Sequence, residues 1–219
     1  MGKKIIDGLE SHIELDGFTA RNYDLLMDLA SLGMYPKFIG SSMKSLGIKS
    51  GETILDLGCG TGRNLELIMH RADYKGDFNG IDIGEEMLAQ AKKRFPGRDN
   101  VHLEIASILE PYPFKKEFDH ITCSFILHGF SHEQRIDIAK NAAKHLKPGG
   151  IFSFLDWTPA KPEDWPGWFR FFFKKIECPI AYEFIKHDYA KEFEEAGLEL
   201  LDIHPKVWGY ARVVRLKKK

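Results

Sequence analysis

Acidic residues and glycines cluster where a predicted strand ends, and this stretch is the part of the chain most able to bind a ligand. Asp56 lies at the end of the apolar run Thr53–Leu57, and Gly58, Gly60 and Gly62 follow at alternate positions. Glycine lets the backbone turn sharply and approach a ligand where a Cβ atom would obstruct it. A helical pattern begins directly after the loop, and a helix N-terminus offers free N–H groups to polar ligand atoms. The pattern predicts the first half of a nucleotide-binding crevice.

The glycine spacing and a second carboxylate narrow the choice of ligand. Dinucleotide-binding folds carry G-x-G-x-x-G and hold a pyrophosphate, whereas the pattern here is G-x-G-x-G. Asp82 ends the next predicted strand, where a carboxylate can accept hydrogen bonds from both hydroxyls of a ribose. Two carboxylates suit a cationic, hydroxylated ligand better than a pyrophosphate. The plainer alternatives are glycines that serve only the geometry of the turn and an Asp82 that only caps the following helix.

Two runs carry a resemblance to a known class of enzyme. The run Leu55–Gly62 resembles motif I of the class I methyltransferases that use S-adenosylmethionine (SAM). The run Ala20–Gly33 resembles the N-terminal region of the ubiquinone/menaquinone-biosynthesis methyltransferases, in which a Tyr-Asp pair helps to cover the cofactor. This second resemblance weakens beyond Phe125, because the family's Phe-Gly-x-Arg-Asn continuation is replaced by His128-Gly129-Phe130.

The resemblance implies SAM as the cofactor and gives each candidate residue a contact with it. Asp82 would hold the ribose, and Tyr23 would cover the bound molecule. Ser107 stands where such enzymes often place an aspartate that binds the adenine amine, a bond that a hydroxyl can accept more weakly. The expected cofactor-binding residues are Tyr23, Asp56, Gly58, Cys59, Gly60, Gly62, Asp82, Ile83, Met87, Ser107, Ile108, Ser124 and Phe125.

His128 is the residue best suited to acid–base chemistry beside this site. The ordinary pKa of a histidine lies near neutral pH, which suits removal of a proton from a hydroxyl or an acidic carbon. The alternatives are a loop histidine bonded to backbone and a residue that only shapes the pocket. His128 and His132 have the spacing of two helical metal ligands, but the capping pattern at Ser131 places a helix start between them. Because no third ligand is evident nearby in the sequence, we expect no metal site.

Residues 158–180 interrupt the alternation of strands and helices and are rich in tryptophan, phenylalanine and proline. In small-molecule methyltransferases, an insertion after this strand usually forms part of the acceptor pocket. Concentrated aromatic side chains favour an apolar or aromatic acceptor. Lys174 and Lys175 would suit peripheral contact with a membrane surface if the acceptor is a lipid. The alternative is a helix that packs on the domain or on a second copy of the chain.

Composition bounds the class of protein. The 219 residues, 43% of them apolar, fit one α/β domain with additions. A formal net charge of -1 gives no basic field to attract nucleic acid. Three cysteines without paired spacing favour a reducing compartment. No signal peptide or bilayer-length apolar run is evident, so we expect a cytoplasmic monomer or homodimer without an integral membrane segment.

Periodicity and turn signals predict the other elements. Residues before Thr53 predict helices and irregular chain, and Lys147–Gly150 predicts a turn between a helix and a strand. Tyr189–Ala196 predicts a helix, and residues 198–203 and 210–216 predict a final hairpin of two strands.

These patterns favour an α/β fold, and the resemblance implies its form: a Rossmann-like, seven-stranded, mostly parallel sheet with an antiparallel last strand and helices on both faces. Residues 1–50 would form a helical segment covering the cofactor, and residues 51–219 the SAM-binding core with the acceptor insertion at 158–180. The expected function is methyl transfer from SAM to a small apolar or aromatic acceptor, such as a quinone precursor, a thiol or a lipid-like molecule. The alternatives are a non-catalytic SAM-binding regulator and an NAD-dependent oxidoreductase.

Overall fold

A computed structural model of the chain describes residues 4–6, 9–11, 23–30 and 33–219. The strands are β1 (Lys4–Ile6), β2 (Leu9–Ser11), β3 (Thr53–Leu57), β4 (Asp77–Asp82), β5 (Val101–Ile105), β6 (Phe118–Ser124), β7 (Leu146–Trp157), β8 (Leu198–Lys206) and β9 (Ala211–Lys218). The α-helices are α1 (Tyr23–Ala30), α2 (Tyr35–Ser45), α3 (Arg63–Arg71), α4 (Glu85–Arg94), α5 (His132–His145), α6 (Gly167–Ile176), α7 (Ala181–Phe184) and α8 (Tyr189–Glu192).

Seven of the described strands form one sheet in the order β5-β4-β3-β6-β7-β9-β8. The five strands from β5 to β7 in this order are parallel, and β9 runs antiparallel to both of its neighbours, β7 and β8. The predicted fold, including the reversed last strand, is confirmed. The chain order changes direction between β3 and β6, and ligands of such sheets bind beyond the carboxyl ends of the strands at that point.

Helices cover both faces of the sheet because consecutive residues of its central strands are apolar and buried. In β3, Ile54 packs with Met43 of α2 and Ile68 of α3, in one buried cluster. Leu55 belongs to a second cluster, which includes Ala139 of α5. Successive side chains of a strand point to opposite faces, and each fully buried aliphatic side chain contributes about 1.5–3 kcal/mol to stability. The two clusters hold the carboxyl ends of β3, β4, β6 and β7 in a fixed arrangement.

Three local predictions need correction. Residues 4–6 and 9–11 form the antiparallel pair β1–β2, where we expected helical and irregular chain. The turn expected at Lys147–Gly150 lies inside β7, because Phe118 pairs with Leu146 while His120 pairs with Ile151, so the extra residues bulge out of the ladder. The single helix expected at 189–196 is the short α8 followed by a 3₁₀ turn, Phe193–Ala196. No helix among the described residues is long and apolar enough to cross a bilayer.

Candidate functional site

The loop after β3 depends on glycine at each alternate position. Gly58, Gly60 and Gly62 have φ angles of 65°, 53° and 77°, in the left-handed region that favours glycine. A Cβ atom on Gly58 would lie 2.1 Å from Cδ1 of Ile126. A Cβ atom on Gly62 would lie 2.8 Å from the ring of Phe95. The loop therefore brings bare backbone to the carboxyl edge of the sheet, at the switch point between β3 and β6.

Asp82 joins this loop to the end of β4. Its Oδ2 accepts a hydrogen bond from the N–H of Gly60 at 2.8 Å, and its Oδ1 accepts one from the N–H of Gly84 at 2.7 Å. Burial raises the pKa of Asp82, although the backbone N–H groups act in the opposite direction. Each carboxylate oxygen keeps a further lone pair. Asp82 therefore fixes the loop and can still accept hydrogen bonds from a ligand.

Asp56 is a buried carboxyl group with unused bonding capacity. Its side chain is 2% exposed, and its Oδ2 atom has no hydrogen-bond partner among the described residues. Burial, and then the nearby charge of Asp82, raise the pKa of Asp56 to about 8. A cation placed against Oδ2 would satisfy that oxygen and lower this pKa.

Helix α1 docks on the glycine loop through side chains that the sequence reasoning did not select. Asp24 accepts a hydrogen bond from Oγ1 of Thr61 at 3.0 Å and pairs with Arg94. Arg94 also donates from Nε to the carbonyl of Thr61 at 3.0 Å. Asp28 pairs with Arg63 at 2.9 Å, at the first residue of α3. Tyr23 is the first residue of α1, but its side chain lies outside the described part of the structure.

His128 lies between two carboxylates beyond the ends of β6 and β7. Its Nδ1 is 2.8 Å from Oδ1 of Asp156, and its Nε2 is 3.1 Å from Oε2 of Glu177. Its backbone N–H also donates to Asp156, at 3.3 Å. Burial disfavours the charged ring, but the two carboxylates outweigh it and raise the pKa of His128 well above its ordinary value. In this arrangement the ring is an imidazolium that donates to both carboxylates.

The loop that carries His128 is held in place by a buried arginine. Arg135 is fully buried and donates to the carbonyls of Leu127 at 2.9 Å and His128 at 3.3 Å. The capping box at Ser131 fixes the start of α5. Phe125, which directly follows β6, has a φ of 54°, a strained conformation for a residue with a side chain. The position of the imidazole is therefore set by backbone geometry as well as by its ion pairs.

The aromatic insertion divides between core and surface. Phe169 and Phe173 of α6 are buried against Trp157 and are part of a core cluster. We expected the aromatic residues of this insertion to line an acceptor pocket, and these two do not. Trp168 and Phe171 point outward, with 61% and 66% exposure. A cleft of about 520 Å³ opens beside α6 and is lined by Pro162, Arg170, Lys174, Glu177, Pro179 and Tyr182. Glu177 thus lines this cleft and also contacts His128.

Comparisons with known proteins agree with the fold and point to one class of enzyme. Residues 54–150, from β3 into β7, match the sequence model of a family described as "Methyltransferase domain". The chain is 26% identical over 212 residues to a demethylmenaquinone methyltransferase of Bacillus licheniformis, covering 87% of this chain and 89% of that protein. It is 28% identical over 200 residues to an uncharacterised methyltransferase of Synechocystis, with 89% and 90% coverage. Together with the fold, these matches identify the chain as a class I SAM-dependent methyltransferase.

Solved structures show the same fold for this methyltransferase. A SAM-dependent methyltransferase from Aquifex aeolicus superposes with a TM-score of 0.64 at 20% identity, covering 94% of this chain and all of that one. The O-methyltransferase NcsB1, in complex with S-adenosyl-L-homocysteine (SAH) and 1,4-dihydroxy-2-naphthoic acid, superposes with a TM-score of 0.63 at 19% identity, covering 90% of this chain and 57% of that one. At 19–20% sequence identity, the structural similarity establishes only a shared fold.

SAM is the methyltransferase's cofactor, and the residues at the edge of the sheet fit its chemistry. The unpartnered Oδ2 of buried Asp56 suits a cationic group, and the glycine loop leaves room that a Cβ atom would fill. The other expected contacts lie beyond the same strand ends. Cys59, Met87 and Ile108 are buried, Ile83 is 36% exposed, and Oγ of Ser107 accepts the N–H of Leu109. Ser124 is the last residue of β6, and Phe125 follows it.

Three residues of this site were missed by sequence reasoning. Asp156 could have been found, because it ends a predicted parallel strand and therefore lies at the same edge as Asp56 and Asp82. Asp24 stands in the Tyr-Asp pair that carried the resemblance, although only Tyr23 was assigned a role. No sequence pattern pointed to Glu177, because only the folding of the insertion brings its carboxylate to His128.

Proposed function

We propose that this methyltransferase methylates a hydroxylated aromatic small molecule, with His128 as the base and Asp156 as the residue that orients it. The observation that carries the proposal is the pairing at His128. Its Nδ1 is held at 2.8 Å by a carboxylate that is 1% exposed, while its Nε2 faces Glu177 at the cleft. A ring held from one side with its other nitrogen toward a cleft is the arrangement that general base catalysis requires.

The cofactor-binding roles are proposed from the contacts around the glycine loop. Asp82 would accept the ribose hydroxyls, Asp56 would face the cationic amine, and the bare backbone from Gly58 to Gly62 would lie against the ligand. The N-terminal segment would cover this site, since α1 is tied to Thr61 by Asp24. When bound, SAM supplies an electrophilic methyl group on a sulfonium, and the electron pair of the broken C–S bond leaves with sulfur in SAH.

The acceptor's hydroxyl would replace Glu177 at Nε2 of His128. Loss of one carboxylate neighbour lowers the pKa of the imidazole, so that the neutral ring can accept the hydroxyl proton. Asp156 keeps the ring in orientation and stabilises the imidazolium that forms. The deprotonated acceptor then attacks the methyl carbon from oxygen, or from a ring carbon conjugated with that oxygen. Most of the rate enhancement would come from alignment of the two reactants.

Two of the similar proteins support an aromatic acceptor that carries oxygen. The Bacillus relative is named for demethylmenaquinone, and the NcsB1 structure is a complex with 1,4-dihydroxy-2-naphthoic acid. Both compounds are fused rings with oxygen substituents. A thiol remains the second candidate acceptor, because an imidazole base can deprotonate a thiol as readily as a phenol.

The test is methyl transfer from isotope-labelled SAM to matched acceptors, followed by mass spectrometry of the products. We expect label in naphthohydroquinones and naphthols, and none in the same rings with every hydroxyl already methylated. Label in small thiols but in no hydroxylated ring would assign the thiol instead. Absence of label in every acceptor, together with tight SAH binding measured by calorimetry, would contradict the proposed acceptor class.

Binding of SAM near neutral pH should release a proton from Asp56. With a pKa of about 8, this carboxyl group is mostly protonated at pH 7, and a bound cation would ionise it. Calorimetry in two buffers of different ionisation enthalpy should give a release approaching one proton at pH 7. At pH 9 Asp56 has almost no proton to release, and binding should instead take up the proton that the α-amine of SAM, with an ordinary pKa of about 8, has lost. Asp56→Asn is the matched control and should abolish the release. Equal release from wild type and variant would mean that the amine does not face Asp56.

The outward face of α6 is proposed to contact a membrane surface. Trp168 and Phe171 are exposed beside the cations Arg170, Lys174 and Lys175. This combination suits insertion at an anionic interface. The protein should cosediment with phosphatidylglycerol vesicles more than with phosphatidylcholine vesicles, and Trp168→Ser should weaken binding while Tyr74→Ser, an exposed aromatic before β4, should not. Equal sedimentation of all three proteins would argue against this contact.

A further inference from the structure

Two histidines and a glutamate converge at the start of α5, away from the residues assigned to catalysis. One nitrogen of His132, one of His187 and one carboxylate oxygen of Glu192 lie within 4.8 Å of one another. Nδ1 of His187 is 3.0 Å from Oε1 of Glu192, and Nδ1 of His132 is 3.6 Å from Oε2. The two rings stack with centroids 4.8 Å apart and an interplanar angle of 30°, so both present a nitrogen to the same carboxylate.

The glutamate in this cluster has an unsatisfied oxygen. Oε2 of Glu192 is buried and has no hydrogen-bond partner among the described residues. The 3.6 Å to Nδ1 of His132 is too long for a hydrogen bond. A buried carboxylate oxygen without a partner is costly unless a cation or a donor reaches it.

The hydroxyl of Tyr189 favours the tautomer of His132 in which Nδ1 carries no proton. The hydroxyl of Tyr189 accepts a hydrogen bond from Nη1 of Arg135 at 2.8 Å and lies 3.2 Å from Nδ1 of His132. Because its acceptor role is taken by Arg135, its proton is available to the imidazole nitrogen. An Nδ1 that accepts this proton carries no hydrogen of its own, so its one lone pair becomes available to a metal when the hydrogen bond from Tyr189 opens. The space between Nδ1 and Oε2 then lies between two electron-rich atoms, which is where a cation would bind.

We propose that His132, His187 and Glu192 bind a divalent transition-metal ion, for which Zn²⁺ is the reference. Two imidazole nitrogens and one carboxylate are a donor set of zinc sites, and the fourth position would be taken by water because the cluster is partly open to solvent. Nitrogen and oxygen donors also suit Co²⁺ and Ni²⁺, whereas Mg²⁺ and Ca²⁺ prefer oxygen alone. The metal would replace the contacts of both imidazoles with Glu192 and the contact of His132 with the hydroxyl of Tyr189.

The charges around the cluster are balanced. Arg135 brings a positive charge to Tyr189, while Glu133, which accepts a hydrogen bond from Ser131, adds a negative charge in the first turn of α5. The metal would join the start of α5 to the end of α8, through Glu192, and to the segment before α8, through His187. That segment leads into Tyr189, which stacks on Phe184 with centroids 5.1 Å apart, and the rings of Phe184 and His128 have centroids 6.4 Å apart. A metal here would therefore stabilise the position of Tyr189 and Phe184, the residues that pack behind His128.

A second group of potential ligands must be separated from this one in the test. His128, Glu177 and Cys178 also offer three atoms within 4.8 Å. There, both ring nitrogens of His128 already contact carboxylates. His128→Ala removes that group and leaves the cluster at α5 intact.

The experiment titrates the metal-stripped full chain with Zn²⁺ by calorimetry and with Co²⁺ by visible absorption, which reports nitrogen coordination. We expect one equivalent bound and a Zn²⁺-induced rise in Tm of about 5–10 °C at hundredfold excess over Kd. His187→Ala and Glu192→Gln should each weaken binding by at least about tenfold. The matched control is His204→Ala, because His204 lies 3.1 Å from the carboxylate of Asp202 and belongs to no cluster of three ligands among the described residues.

The outcomes separate cleanly. Binding that His187→Ala and Glu192→Gln weaken, and that His128→Ala and His204→Ala leave unchanged, supports the site at α5. Binding lost only in His128→Ala would overturn the proposal and place the metal at the catalytic pair. Absence of Zn²⁺ or Co²⁺ binding, or binding unaffected by His187→Ala, would also overturn it. None of these results depends on the acceptor of the methyltransferase being known.

Discussion

Asp82→Ala should raise the dissociation constant for SAM and for SAH by about 10²–10⁴-fold, measured by calorimetry. The proposed ribose contact consists of two hydrogen bonds to a charged acceptor, each worth about 1.5–3 kcal/mol, and each factor of ten in Kd corresponds to about 1.4 kcal/mol. The variant also leaves the N–H groups of Gly60 and Gly84 without their carboxylate acceptor, which loosens the loop. Both effects weaken binding, so the loss of affinity for SAM and SAH should be large.

The same strand provides the control for this experiment. Asp77, the first residue of β4, contacts Lys116 and His102 at the opposite end of the strand from Asp82. Asp77→Ala should leave the affinity for SAM unchanged, because Asp77 lies far from the proposed ribose contact. Its partly exposed ion pair contributes to the stability of the fold only, by about 1 kcal/mol or less. Asp82→Asn keeps the size of the side chain and should fall between wild type and Asp82→Ala. Unchanged affinity in Asp82→Ala, with the thermal transition of the variant intact, would remove the ribose assignment.

His128→Ala should lower kcat by about 10²–10⁴-fold, the usual contribution of a positioned general base. The affinity for SAM should stay within error, because His128 is assigned to the acceptor and not to the cofactor. Single-turnover rates with saturating SAM would measure the chemical step directly. If His128→Ala keeps wild-type turnover across the pH range, the base assignment is wrong.

The pH dependence gives an independent check on His128. Its pKa is raised by Asp156 and Glu177, so the base is available only as pH rises through a value above that of an ordinary histidine. Glu177→Gln removes one negative charge, lowers this pKa and should move the acid limb of kcat/KM to lower pH. Asp156→Asn should also lower the pKa, but should reduce kcat because the ring loses the group that orients it. An acid limb unmoved in Glu177→Gln would show that the ionisation belongs to another residue.

The sequence by itself determined the sheet and the half of the site that lies on consecutive elements. The glycine loop, Asp56 and Asp82 belong to one strand–loop–helix–strand unit. The apolar periodicity predicts its elements, and a helix that joins two parallel strands brings their carboxyl ends to the same edge of the sheet. The glycine spacing and the two strand-end carboxylates were enough to favour SAM over a dinucleotide. The antiparallel last strand followed from the resemblance, and the pairing of β9 with β7 and β8 confirms it.

Only the tertiary structure decided which side chains meet across distant elements. His128 and His132 are four residues apart, yet the first pairs with Asp156 and Glu177, while the second meets His187 and Glu192. The aromatic run of the insertion likewise divided between core and surface, because packing of α6 buries Phe169 and Phe173 and leaves Trp168 outside. Periodicity reports the face of an element on which a residue lies. The partner of a side chain depends on how two faces pack, and that interaction has no signature in either segment alone.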